Sequence, residues 1–371
     1  MSLSPVTICH TESSRGWGGQ EIRIHSEMLA MRKRGHSVFL ACPPDATIAS
    51  RAAADGIQVI PFSDAKAAYP ASLVKLTRLF KATGVCVVNP HSSRDGWLAG
   101  LAARLAGVQC IVRSRHIEVD YPNAILSRLA FHRLPHHVLT TSQRISERLI
   151  SELRLDPRRV TCIPTGIDLG RFHPGAVPSL GSDPRIPPRR LLIGMIAVLR
   201  SWKGHDDFLS AARILADSGA PVHFIVAGDG PGKNSLLRGI GSRGLQEKVT
   251  WIGHRDDVPN IIASLDVLVL PSYAHEGIPQ IILQAQACGK AVVGTSIGGI
   301  PEVIQQGETG LLTAPRDPVQ LASSLSRLIS DSSLRQSLGS RALEFATRQH
   351  GQDLMCERLE AIYQKYLRPR S

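Results

Sequence analysis

Short apolar runs alternate with helical stretches along this chain, in two successive series, and no other feature restricts the fold as much. In the first series V-T-I-C-H-T (6–11) leads through a glycine loop into a helix expected from about Gln20 to Arg34. Gly35 stops that helix, and S-V-F-L-A-C (37–42) follows as a strand. The runs G-I-Q-V-I-P, V-C-V-V-N-P, C-I-V-R-S-R and H-V-L-T-T-S repeat the pattern. Strands separated by helices have the crossover length that parallel pairing needs, so the alternation predicts α/β architecture with a doubly wound parallel sheet. Residues 175–190 (G-A-V-P-S-L-G-S-D-P-R-I-P-P-R-R) lack apolar periodicity and read as an interdomain linker. A second series then begins with L-L-I-G-M-I-A-V-L and continues through H-F-I-V-A-G, V-T-W-I-G, V-L-V-L-P and A-V-V-G-T. The expected division is an N-terminal Rossmann-like domain (1–174), a linker (175–190), a C-terminal Rossmann-like domain (191–350) and a closing helical segment (351–371). Ligands of such sheets bind at the carboxyl ends of strands.

With 371 residues, 43% hydrophobic and 20% charged, the chain has material for two cores and is not disordered. No apolar run approaches the roughly 18 residues that span a bilayer. The start M-S-L-S-P-V-T-I-C-H has neither a basic nor a long apolar region, so no signal peptide is expected. Seven scattered cysteines without C-x-x-C suit reduced thiols in a cytoplasmic protein. The net charge of +12 is concentrated early: residues 1–180 hold 22 Lys and Arg against 13 Asp and Glu. That surplus suits an anionic partner such as phospholipid or a phosphorylated glycan, although a solvated basic surface explains it equally well. Aromatic residues are only 5% and do not alternate with basic ones, which argues against nucleic acid.

The richest local pattern is S-Y-A-H-E-G-I-P-Q-I-I-L-Q-A-Q-A-C-G-K-A-V-V-G (272–294). It predicts a strand, a loop carrying Glu276, a helix with Pro279 in its first turn, and a stop at Gly289. Gln284 then lies about one turn into that helix. This stretch resembles the E-x7-E signature of retaining family-4 (group 1) glycosyltransferases, roughly E-G-x-P-x-x-x-x-E-A-x-A-x-G-x-P-V-V. Glu276, Gly277, Pro279, Ala285, Ala287, Gly289, Val292 and Val293 match, whereas Gln284 replaces the second glutamate and Ala291 the proline.

The resemblance implies the GT-B fold: two Rossmann-like domains facing each other across a cleft, with the last helix crossing back to the N-terminal, acceptor-binding domain. It implies that Glu276 meets the donor sugar, with Gly277, Ile278 and Pro279 alongside, and that Gln284 meets the ribose. R-S-W-K-G-H (200–205) resembles the family segment that binds donor phosphates; Lys203 and Gly204 match, and Arg200 is expected to substitute for an arginine usually found at position 198. A lysine before a helix N-terminus suits a diphosphate on physical grounds as well. Gly18 and Gly19 in S-S-R-G-W-G-G-Q-E resemble the family loop facing donor and acceptor, where glycine permits positive φ and close backbone approach. His116, after C-I-V-R-S-R, is placed like the histidine that contacts the donor sugar, and His91 is expected nearby. Gly228, Gly253 and His254 are expected beside the nucleotide. Gly298 and Gly299 resemble a further family loop, which turn chemistry explains equally well.

The implied activity is transfer of a sugar, with retention, from a UDP- or GDP-sugar to a glycan or lipid-linked acceptor in lipopolysaccharide or other cell-envelope synthesis. No cofactor or metal is expected. His132 and His136, four apart, are interrupted by Pro135 and lack H-E-x-x-H. The stretch 124–137 mixes apolar residues with Arg and His, and contact with the anionic cytoplasmic face of a membrane is one reading of it. Rival readings are a nucleotide-sugar epimerase, a non-catalytic nucleotide-sugar binder prompted by Gln284, and a nicotinamide oxidoreductase, for which G-x-G-x-x-G is missing.

Overall fold

The computed structural model describes residues 3–118, 124–181 and 183–367, in two compact units. One unit is built from residues 1–166 and 352–371, the other from 167–351. The boundary thus falls at Gly166, earlier than position 174. Within the expected linker, 175–190, residues 179 and 180 are packed into the second unit. Leu180 is buried in the second unit's core, and the Ser179 N–H donates to the Asn260 carbonyl at 3.3 Å and the Ser264 hydroxyl at 2.9 Å. Proline and glycine mark irregular backbone, but irregular backbone can still be packed.

The first unit holds a parallel sheet of β1 (Thr7–Thr11), β2 (Ser37–Cys42), β3 (Gln58–Pro61), β4 (Val87–Pro90), β5 (Cys110–Arg115), β6 (His137–Thr140) and β7 (Val160–Cys162). Their order is β3-β2-β1-β4-β5-β6-β7, so the winding reverses between β1 and β4. The second unit holds β8 (Leu191–Ile196), β9 (Val222–Ala227), β10 (Val249–Gly253), β11 (Val267–Leu270), β12 (Ala291–Thr295) and β13 (Leu311–Thr313) in the order β10-β9-β8-β11-β12-β13. Here the reversal lies between β8 and β11. Every residue of β9, β11 and β12 is buried, as expected of strands covered by helices on both faces. The sequence pattern located eleven of these strands. β7 and β13 are only three residues long, too short for an apolar period to be read.

The helices follow ordinary rules. Gln143–Leu153 buries Ile145, Leu149 and Leu153 at i, i+4 spacing, and the Ser142 hydroxyl caps it by accepting from the Ile145 N–H at 3.3 Å. The closing helix, Gln352–Gln364, packs Met355, Cys356, Leu359, Ile362 and Tyr363 into the first unit's core beside Ile8, Met31, Val87 and Val112. Glu360 fixes its register by accepting two hydrogen bonds from the Arg34 guanidinium, at 2.7 and 2.8 Å. Those bonds hold the Glu360 carboxyl below its usual range.

Candidate active site

The candidate residues fall into two groups, one at the carboxyl ends of each sheet's strands. On the second unit, β8 runs out through Arg200 into a short 3-10 turn, Ser201–Lys203, and the helix His205–Asp217. β11 runs out into the loop 271–279 and the helix Gln280–Ala287. These adjacent strands flank the winding reversal, where a crevice opens between diverging connections.

Four contacts register the two loops. The Tyr273 N–H donates to the Trp202 carbonyl at 2.8 Å, and the Trp202 and His275 rings meet edge to face at 5.5 Å. Lys203 Nζ donates to Glu276 Oε1 at 2.6 Å. Gly204, at φ +79°, lies so close to Pro271 that an added Cβ would come within 1.9 Å of its carbonyl oxygen. His275 itself adopts φ +56°, a conformation costly for a residue other than glycine, and directs the chain so that Glu276 turns inward. Glu276 is 5% exposed while the Lys203 side chain retains 21%, so the ammonium has an open side and the carboxylate little. Arg200 is exposed and lies over the Trp202 ring at 5.1 Å.

The helix starts at Gln280 with Pro279 as its N-cap, one residue later than the sequence suggested. Gly277, Ile278 and Pro279 are buried behind Glu276. Gln284 is half-buried, one turn into the helix, while Gln286 is fully buried and donates to the Val303 carbonyl at 2.7 Å. Gly228, at φ +131°, ends β9; its N–H donates to the Gly253 carbonyl at 2.7 Å, and its carbonyl accepts from the Trp251 indole at 2.8 Å. His254 is exposed and lies 3.5 Å from Asp256.

Gly298 and Gly299, which turn chemistry explains equally well at the level of sequence, have a specific task. A Cβ on Gly298 (φ +53°) would lie 2.1 Å from the Glu276 carbonyl, and one on Gly299 would lie 2.8 Å from that of Gly277. The loop after β12 therefore backs the loop that carries Glu276. Gly298→Ala is expected to cost about 1–3 kcal/mol and to lower turnover, because the Glu276 backbone must move. Gly307→Ala is the control: φ is +76° there but nothing lies within 4 Å, so only backbone strain of about 1–2 kcal/mol should appear. Denaturant titration and an activity assay check both; equal turnover in the two variants would remove the buttressing role.

On the first unit the glycine loop behaves differently from expectation. Neither Gly18 nor Gly19 has positive φ; Gly18 is extended at φ −147° and is the N-cap of the helix Gly19–Lys33. Its N–H donates to Glu21 Oε2 at 2.9 Å. The loop is shaped instead by Glu12, a residue the sequence did not single out. Buried Glu12 accepts from the N–H groups of Ser13 and Ser14 at 2.7 Å, from Gln20 at 2.5 Å and from the Ser92 hydroxyl. Asp95 sits beside it, accepting from the Thr11 hydroxyl at 2.8 Å and the His91 N–H at 2.9 Å. Burial and the Glu12 charge push the Asp95 carboxyl up to about 8.

His116 ends β5 and is buried. Its Nε2 lies 2.8 Å from His91 Nδ1, and His91 Nε2 lies 2.9 Å from His10 Nδ1. His132 and His136 are engaged separately, with the Leu153 carbonyl at 3.0 Å and with the Ile111 N–H at 3.0 Å. Among the described residues no group of three or more metal-ligating side chains comes together, and no helix is long and apolar enough to cross a membrane.

Paired parallel sheets with polar loops at their winding reversals define a class of nucleotide-binding α/β proteins. Residues 17–171 match Glycosyltransferase Family 4 and residues 181–345 match the Glycosyl transferases group 1 family, so the chain belongs to these glycosyltransferases and has their GT-B fold. It is 29% identical over 273 residues to the UDP-Gal:alpha-D-GlcNAc-diphosphoundecaprenol alpha-1,3-galactosyltransferase of Escherichia coli, covering 70% of each chain. It is 32% identical over 174 residues to the N-acetyl-alpha-D-glucosaminyl L-malate synthase of Bacillus anthracis, over 47% of this chain and 45% of that enzyme. In fold it is similar to a glycosyltransferase from Rickettsia africae (TM-score 0.86, 19% identity, covering 99% of this chain and 100% of that one). It is also similar to Anabaena Alr3699/HepE in complex with UDP and glucose (TM-score 0.85, 21% identity, covering 98% and 100%).

Proposed function

We propose that this glycosyltransferase moves a hexose from a UDP-sugar to a glycan or lipid-linked acceptor of the cell envelope, with retention and without a metal ion. The observation that carries the proposal is the Lys203–Glu276 pair at the winding reversal between β8 and β11. Bond breaking leaves negative charge on the diphosphate and positive charge on the sugar. Lys203 has an open side and Arg200 is exposed close by, so both can face the leaving phosphates beside a helix start. As the diphosphate takes a share of the ammonium, Glu276 is freed to accept hydrogen bonds from sugar hydroxyls. A lipid-linked acceptor is supported by the Escherichia coli relative, whose name specifies a diphosphoundecaprenol acceptor.

The test is a thermal-shift panel of UDP- and GDP-sugars, repeated with EDTA and with candidate acceptors, since a ligand of the native state raises apparent stability. A UDP-sugar should raise the melting temperature with or without EDTA and be consumed only when acceptor is present. A shift that vanishes with EDTA would refute metal independence, and sugar release or isomerisation without acceptor would favour a hydrolase or epimerase. Gln284→Glu should remain active with donor affinity changed by roughly tenfold or less, because an amide still makes the hydrogen bonds and only charge assistance is altered. Complete inactivation would assign Gln284 another task.

Membrane contact belongs to the same reading. In the helix Ala124–Arg133, Ile125 is 79% exposed, and Leu126 and Leu129 are exposed beside it. Flotation with anionic vesicles should carry up less of an Ile125→Ser/Leu129→Ser variant than of the parent; equal flotation would remove this contact.

A further inference from the structure

We infer that His10 and His91 are positioning residues that fix the tautomer of His116, so that His116 presents Nδ1–H as a hydrogen-bond donor. The inference rests on the reading of His116 as a donor-sugar contact for its use, but not for its structural content.

Three imidazoles lie in line, from β1, from the end of β4 and from the end of β5. The contacts are His10 Nδ1 to His91 Nε2 at 2.9 Å and His91 Nδ1 to His116 Nε2 at 2.8 Å. The ring planes are within 10° and 30° of parallel and the centroids are 5.2 and 5.1 Å apart, the separation of imidazoles joined edge to edge. At such a separation each N···N contact holds one proton. All three rings are buried, and burial together with the nearby Arg23 cation pushes each well below the usual histidine range. The row is therefore neutral, and a neutral imidazole carries a proton on only one nitrogen. Only two arrangements remain. If the protons point toward β5, His10 Nε2 is bare and His116 carries Nδ1–H. If they point toward β1, His10 carries Nε2–H and His116 Nδ1 is bare.

The inner end decides between them. His10 Nε2 is buried and has no hydrogen-bond partner among the described residues. A proton there would be a buried donor without an acceptor, which costs more than a bare lone pair in the same place. At the outer end, the neighbouring Arg115 cation further disfavours an imidazolium at His116. His116 is held in place from its backbone, whose carbonyl accepts from the Thr141 hydroxyl at 3.0 Å. A fixed N–H at this position can donate to a sugar oxygen but cannot serve as a general base.

Nitrogen-15 NMR of histidine-labelled protein tests this at neutral pH, with the His116 signals assigned by their loss in His116→Gln. The expected spectrum has protonated Nδ1 and bare Nε2 for His91 and His116. The opposite pattern at His116 overturns the inference, and the wild-type spectrum alone decides. His91→Phe keeps a flat ring in the place but removes both bonds. It should leave His116 a mixture of tautomers and lower kcat/KM by on the order of tenfold, the worth of one hydrogen bond. UDP affinity should be unchanged. An unchanged His116 tautomer in that folded variant would also overturn the inference. A correct spectrum in a protein that binds no nucleotide-sugar would instead remove the functional reading while leaving the tautomer assignment intact.

Discussion

Lys203→Ala should lower sugar transfer by roughly 10²–10³-fold, the usual cost of removing one group aimed at developing negative charge. The effect must be separated from folding, because the substitution also strips a buried carboxylate of its partner. Glu276 is 5% exposed and its Oε1 accepts from Lys203 at 2.6 Å, so the single variant should lose about 1–3 kcal/mol of stability. Glu276→Gln combined with Lys203→Met removes both charges and should recover much of that loss without recovering turnover. The two single variants should be strongly non-additive in stability, as expected of residues in direct contact. Denaturant titration of the singles and the double, with transfer assays beside them, reads both quantities. Near-normal transfer by folded Lys203→Ala would remove the assignment of this lysine to the donor phosphates.

The second large effect is a loss of stability on acidification through pH 6.5 to 5. Burial lowers His10 to about 3 and His136, His137, His205 and His223 to about 4, and holds His91 and His116 well below the ordinary value of 6.5. The unfolded chain takes up these protons near pH 6.5, whereas the folded chain resists them. Stability is thus intact above 6.5 and falls as pH drops, by about 1.4 kcal/mol per pH unit for each fully buried histidine. Asp95, held up at about 8, and the raised carboxyls of Glu12 and Glu27 act in the opposite direction, since they bind protons more readily when folded. Seven lowered histidines outweigh these three raised carboxyls, so the net change between pH 6.5 and 5 is a loss of stability, seen as a lower urea midpoint at pH 5. Urea titrations at those two pH values check it; identical midpoints would mean that these histidines do not stay neutral.

The sequence disclosed the strands and not the contacts between loops, and the reason is physical. A fully covered parallel strand such as V-H-F-I-V-A is an apolar run that local reading detects. The pairing of Lys203 with Glu276, 73 residues apart, depends on β8 and β11 being neighbours, which follows from strand order and not from either segment. The histidine row is less legible still: His116 and His91 were expected in the site, but their line with His10 depends on β1, β4 and β5 being neighbours. Gly298 shows the same limit from another side. Its positive φ was predictable from turn chemistry, whereas its approach to the Glu276 carbonyl comes from the packing of one loop on another. The glycine loop misled for a related reason: Gly18 is extended, and a buried carboxylate at position 12 sets the loop's shape.

The helix Gln352–Gln364 has a consequence for the order in which this chain can acquire structure. It supplies apolar side chains and the Glu360 clasp to a unit whose other elements end at Gly166. During synthesis the ribosome must deliver the whole of residues 167–351 before that unit can close, so the half begun first is the half completed last. The second unit is contiguous and can fold as it emerges. Its ends are already side by side, with the Ile167 N–H donating to the His350 carbonyl at 2.7 Å. Once folded, it shortens the effective loop that the closing helix must bridge, from a long flexible chain to a preformed clip.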